Sequence, residues 1–200
     1  MGPALTSGPD AAGRRPLSPV LRARVPPVSG SRVRLLIFAL AWLATACGAS
    51  YQGRVYRGGG IEFRTGDAPA GWRQIDAKGA LLTFRDDAND ATIAVGGRCG
   101  RDAEDVPLEA LTSHLFLRFT DREPGAQRKV ALDGREALRT EMSARLDGVR
   151  KGFVVYVLKK DGCVYDFLFI TDAEGVAKKA APFDRFVEGF RANRDAVAED

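Results

Sequence analysis

The sequence predicts an α+β domain in which helices pack on an antiparallel sheet. Three observations carry that prediction. Residues 61–99 and 128–170 break into short apolar-polar runs of strand type, divided by Gly, Asp and Asn. Asp133-Gly134, Asp147-Gly148 and Asp161-Gly162 offer hairpin turns short enough for antiparallel neighbours. Each strand block is then followed by a stretch with helical apolar spacing.

Taken in order, Ile61-Glu62-Phe63-Arg64 alternates as a strand, and Asp67 to Gly71 has the composition of a turn. Trp72 to Asp76 and Leu81 to Arg85 are short strand candidates, parted by Lys78-Gly79. Asp86 to Asp90 is a polar turn, and Ala91 to Val95 is an apolar strand running on to Cys99. Over Pro107 to Phe119 the apolar residues Leu108, Leu111, Leu115, Phe116 and Phe119 fall on one helical face. Pro107 suits a first turn, Asp105 a cap, and Asp121 to Gly125 (DREPG) a helix end. Arg128 to Leu132, Arg135 to Leu146, Phe153 to Leu158 and Cys163 to Ile170 read as four consecutive strands. Ala173 to Ala192 closes the chain as a helix that Pro182 either kinks or starts.

The layout from Ile61 through Pro69-x-Gly71-Trp72, the mid-chain helix and the closing Phe183-x-x-Phe186 helix resembles the Mog1/PsbP-type α/β/α sandwich. That resemblance implies a group containing many bacterial lipoproteins, whose members mostly bind or assist partner proteins. It supplies no shared catalytic residues to carry over.

The amino-terminal part is read separately. Arg32-Val33-Arg34 precedes Leu35 to Ala46 (LLIFALAWLATA) and then Cys47. A basic region, a short apolar stretch and small residues make an export signal. Twelve apolar residues are too few for a membrane-spanning helix, which needs about 20. Ala44-Thr45-Ala46-Cys47 is similar to the lipobox of bacterial lipoproteins, which implies acylation of the Cys47 thiol and cleavage before it. It departs from that pattern at Ala44, where leucine is preferred, and Ala44-x-Ala46 also satisfies the ordinary secretory rule. Residues 1–31, rich in Pro, Arg and Gly, look like no packed element, and we expect translation to start later, at Val25, Val28 or Val33. The expected organisation is a leader over 1–46, a lipidated Cys47 with a flexible tether to 60, one domain over 61–192, and a polar tail over 193–200.

Charge narrows the functional classes. The net charge of +4 resides in the leader, where residues 1–46 hold six of the 30 basic side chains and one of the 26 acids. The remainder has 24 basic and 25 acidic residues, so the domain lacks the basic surplus of a nucleic-acid binder. Acylation of Cys47 leaves Cys99 and Cys163 as an even pair, and pairing is the default in an oxidising compartment.

No motif for catalysis stands out. His114, the one histidine, lies off the apolar helix face, and the neighbouring Ser113 points elsewhere. Gly58-Gly59-Gly60 lacks the Lys and Ser/Thr of a phosphate loop. Asp102, Glu104, Asp105 and Glu109 lack the ligand spacing of a calcium loop. Trp72 is the candidate for a binding surface, because aromatic anchors are common at interfaces; Tyr51, Tyr56, Tyr156 and Tyr165 read first as core. The sequence thus points to a membrane-anchored, non-enzymatic envelope lipoprotein that binds or assists a protein partner, without metal or cofactor. A periplasmic small-ligand binder and an envelope hydrolase are the alternatives.

Overall fold

The computed structural model describes residues 48–100 and 106–193. Cys47 and the leader, the acids Asp102, Glu104 and Asp105, and the tail from 194 lie outside the described residues.

Seven strands form the main sheet. Their order is β4 (Arg73–Ile75), β5 (Leu82–Asp86), β6 (Ala91–Cys99), β10 (Cys163–Asp172), β9 (Val149–Lys160), β8 (Arg135–Leu146) and β7 (Thr120–Leu132). Each neighbouring pair is antiparallel. The β7–β8, β8–β9 and β9–β10 connections are two-residue Asp-Gly loops. Both residues of each have positive φ, as in Asp133 (48°) and Gly134 (72°). That backbone matches the twist of the flanking strands, and glycine adopts it at little cost.

β9 and β10 carry apolar side chains on both faces, so the sheet needs cover on both sides. Along β9, Val154, Tyr156 and Leu158 enter one core, while Phe153, Val155 and Val157 enter the other. The second core is closed by Leu111 of α1 (Leu108–Leu115) and by Phe116, whose ring meets Phe153 edge-on at 5.4 Å. The first is closed by Phe183, Phe186 and Val187 of α3 (Ala181–Glu188), by Phe190, and by a small sheet. Its order is β1 (Ser50–Gln52), β2 (Val55–Gly58), β3 (Ile61–Arg64) and β11 (Arg191–Ala192). Burying each of these large apolar side chains contributes about 1.5–3 kcal/mol.

Four expectations are corrected. Residues 48–60 are not a flexible tether: β1 and β2 occupy them, and Tyr56, 4% exposed, stacks on Phe63 at 5.0 Å. The first core needs that cover. The mid-chain helix stops at Leu115, and the residue before it is Pro107, without a side-chain cap. Phe116 and Phe119 continue the apolar face from a turn. DREPG does not end the helix but lies within β7, where cross-strand pairing with β8 accommodates it through register shifts on either side of Glu123 and Pro124. The closing helix is two pieces, α2 (Val176–Lys179) and α3, followed by β11; Pro182 sits in the first turn of α3, where its missing N–H costs nothing.

A polar pin fastens α3 to the sheet. Arg139 is 3% exposed and projects from β8 beneath the helix. It donates to Asp184 (3.2 and 3.3 Å), to Glu141 (2.6 Å) and to the Tyr156 hydroxyl (3.1 Å). Tyr156 in turn donates to Asp184 at 2.8 Å. Burial and the Asp184 carboxylate together raise the Tyr156 pKa, so the phenol stays protonated.

The edge strands differ. β4 is three residues long. β7 runs for thirteen, mostly exposed, and carries Pro124, two register irregularities and the charges Asp121, Arg122, Glu123, Arg128 and Lys129.

Cys99 and Cys163 are direct cross-strand partners on β6 and β10, joined by a disulfide across 64 residues of sequence. Replacing both with serine is expected to lower the unfolding free energy by about 4 kcal/mol, the loop-closure value for that length, measured by urea denaturation. Arg139→Leu removes the buried cation that pairs with the half-buried Asp184 and Glu141 carboxylates and is expected to cost about 2 kcal/mol in the same assay.

Candidate functional site

An open cleft of about 850 Å³ lies at one end of the first core. It forms where the apolar cover of β10 runs out. The inward positions of that strand proceed Tyr165, Phe167, Phe169 and then Thr171. Phe169 and Thr171 line the cleft together with Ala91 of β6.

Two glycines shape the walls. Gly66 donates its N–H to the Phe186 carbonyl at 2.8 Å, and a Cβ there would sit 2.5 Å from the Arg185 carbonyl oxygen. The segment 66–72 can therefore lie against α3 only with glycine at that crossing. Gly152 of β9 does the same for α2, since a Cβ would lie 2.7 Å from Cβ of Val176. The cleft thus has the Pro69–Trp72 segment on one side and α2 with the start of α3 on the other.

Its chemistry is mixed. Trp72 is half-buried and packs against Phe169, with ring centroids 6.3 Å apart. Pro69 and Pro182 add apolar surface. Lys178, Lys179 and Arg185 stand exposed at the rim, and their side chains have no ion-pair or hydrogen-bond partner among the described residues. The two acids at the cleft are engaged elsewhere. Asp67 pairs with Arg54 at 3.4 Å. Asp86 accepts from the amides of Ala88 and Asn89 and from Asn89 Nδ2 within its own turn. Thr171 is fully buried, and its hydroxyl has no protein partner among the described residues.

Ion pairs brace the turn that carries Asn89. Asp90 receives Lys151 and Arg85, and Lys151 also holds Asp172 at 3.1 Å. Hydrogen bonds from Lys151 and then Arg85 hold the Asp90 carboxyl well down, at about 2. On the other face of the sheet, Asp166 is 8% exposed, and Gly96 opposite it leaves room for the carboxylate. Burial raises its pKa, with Arg98 at 3.6 Å opposing.

Of the residues weighed in the sequence for a functional role, Trp72 alone lines this cleft. Tyr51 donates to or accepts from Thr65 at 2.8 Å and meets Phe84 edge-on, while Tyr56, Tyr156 and Tyr165 are core. His114 is exposed on α1, away from the cleft lining, and the Ser113 hydroxyl is turned back to the Glu109 carbonyl. Gly59 and Gly60 form the β2–β3 hairpin turn. Glu109 is exposed in the first turn of α1. Among the described residues no group of His, Cys, Asp and Glu is arranged to hold a metal ion. Sequence reading missed Thr171, Lys178, Lys179 and Arg185. A threonine ending an otherwise aromatic inward row was the one signal available.

No family model matches the chain, and no curated protein matches it in sequence. Among solved structures, it shares its fold with the cyanobacterial PsbP protein CyanoP of Synechocystis sp. PCC 6803. The TM-score is 0.52 at 17% identity, covering 76% of this chain and 96% of that one. The domain therefore has the Mog1/PsbP-like fold. LpqN of Mycobacterium tuberculosis, involved in cell envelope biogenesis, aligns with a TM-score of 0.48 at 12% identity over 73% of this chain and 90% of that one.

Thr171→Val removes a buried hydroxyl that has no protein partner and keeps the side-chain shape. It is expected to leave stability unchanged or raise it by about 1 kcal/mol in thermal unfolding.

Proposed function

We propose that this chain is an exported lipoprotein, held to a bacterial membrane through Cys47, whose domain binds a partner protein and performs no chemistry of its own. One observation carries the reading: the domain uses Cys99 and Cys163 in a disulfide, which leaves Cys47, directly behind the apolar stretch, as the remaining cysteine. Disulfides persist in oxidising compartments outside the cytoplasm. A lone exposed thiol there would be a liability, whereas an acylated one is an anchor. The lipobox-like Ala44-Thr45-Ala46-Cys47 supports the same assignment. The working surface is the Trp72 cleft, with its aromatic floor and cationic rim.

A second reading, a binder of small periplasmic ligands, draws on the size of the cleft, since about 850 Å³ falls within the usual range for small-molecule sites. The partner-protein reading is preferred because the cleft is open and its cations stand at the rim.

The anchor is tested by the intact mass of the mature protein purified from its native envelope. The expected species begins at Cys47, is heavier by its acyl chains and is lighter by the two hydrogens of the disulfide. An unacylated mature mass overturns the anchor.

A further inference from the structure

We infer that the Trp72 cleft takes an acidic peptide segment carrying one apolar side chain, supplied by the partner protein. This rests on the reading of the cleft as the working surface and adds the chemistry of what enters it.

The argument begins with charge. Lys178, Lys179 and Arg185 converge on one opening from α2 and α3, and none forms an ion pair or side-chain hydrogen bond with a described residue. The two acids that line the cleft meet other partners: Asp67 meets Arg54 at 3.4 Å, and Asp86 accepts from the amides of its own turn. Nearby Lys151 and Arg85 show the contrast, since each is fully paired by Asp87, Asp90 or Asp172. The rim therefore presents three cations to an incoming group. Carboxylates arriving there gain charge-assisted hydrogen bonds without displacing an internal partner.

Below the rim the surface changes character. Trp72 and Phe169 lie against each other, and Pro69 and Pro182 flank them. This floor suits a single apolar side chain, the usual anchor of a protein interface. Beneath it, the Thr171 hydroxyl sits buried with no protein partner among the described residues. An anionic lipid headgroup would satisfy the rim but would bring its apolar chains no matching route past it.

The test uses the full mature chain in detergent and three synthetic peptides, each with one leucine flanked by glutamates, by glutamines or by lysines. Binding is followed by fluorescence anisotropy. The glutamate peptide is expected to bind about tenfold more tightly than the glutamine peptide, with the lysine peptide weakest. Its affinity should fall as salt rises from about 0.05 to about 0.5 M, since exposed charges are screened. Lys178→Glu with Lys179→Glu should weaken it about tenfold or more. Equal binding of the glutamate and glutamine peptides overturns the inference. So does displacement of the glutamate peptide by phosphatidylglycerol but not by phosphatidylcholine added as mixed micelles, which assigns the cations to lipid.

A photo-crosslinker at Ala70 in the full chain, activated in the native envelope, separates the two levels of the argument. Protein crosslinks from Ala70 combined with no charge preference among the peptides remove the acidic segment and leave the partner surface standing. Absence of protein crosslinks from Ala70 removes both.

Discussion

The central hairpin of the sheet, β9 and β10, is apolar on both faces, and the rest of the molecule answers to that. A strand pair that buries Val154, Tyr156 and Phe167 on one side and Phe153, Val155 and Val164 on the other has no face to give to water. One short helix suffices for the second face, because Phe116 and Phe119 extend its cover beyond the last helical turn. The first face is wider and takes α3, Phe190 and a four-stranded sheet. The polar pin of Arg139, Tyr156 and Asp184 then specifies where α3 lies. Its energetic return is modest when set against an apolar replacement, but its geometry permits one placement of the helix.

The cleft is the place where this cover ends. α2 is short, and Gly152 lets it press onto β9. Gly66 lets the following loop cross the end of α3. Between these two close approaches the inward row of β10 is left beneath an opening, and its last member is Thr171. The site is thus a by-product of how two covering elements meet, and its lining comes from five separate stretches of the chain.

That origin explains what could be read in advance. The strand pattern from Arg135 to Ile170 was legible because Asp-Gly turns fix the hairpins and the apolar alternation fixes the register. The helical face at Leu108, Leu111 and Leu115 was legible for the same reason of periodicity. Residues 48–60 misled because glycine at 53, 58, 59 and 60 has the composition of a linker, while positive φ at Gly53, Gly59 and Gly60 serves two tight turns. DREPG misled because proline ends helices and is equally at home on an edge strand. Trp72 was found because aromatic anchors are common at interfaces. Lys178, Lys179 and Arg185 were not found, because on the sequence they read as solvated charges; their convergence on one opening exists only in the fold.

The long exposed edge of β7 has a consequence for the behaviour of many copies together. A strand of thirteen residues with its outer edge open is a template onto which another sheet could add, copy upon copy. Pro124 withholds one donor, the two irregularities bend the edge out of line, and the alternating charges of Asp121, Arg122 and Glu123 set like against like in most registers. Any setting that crowds this domain on a surface raises its local concentration far above that in solution. The edge is built so that such crowding yields neighbours and not fibrils.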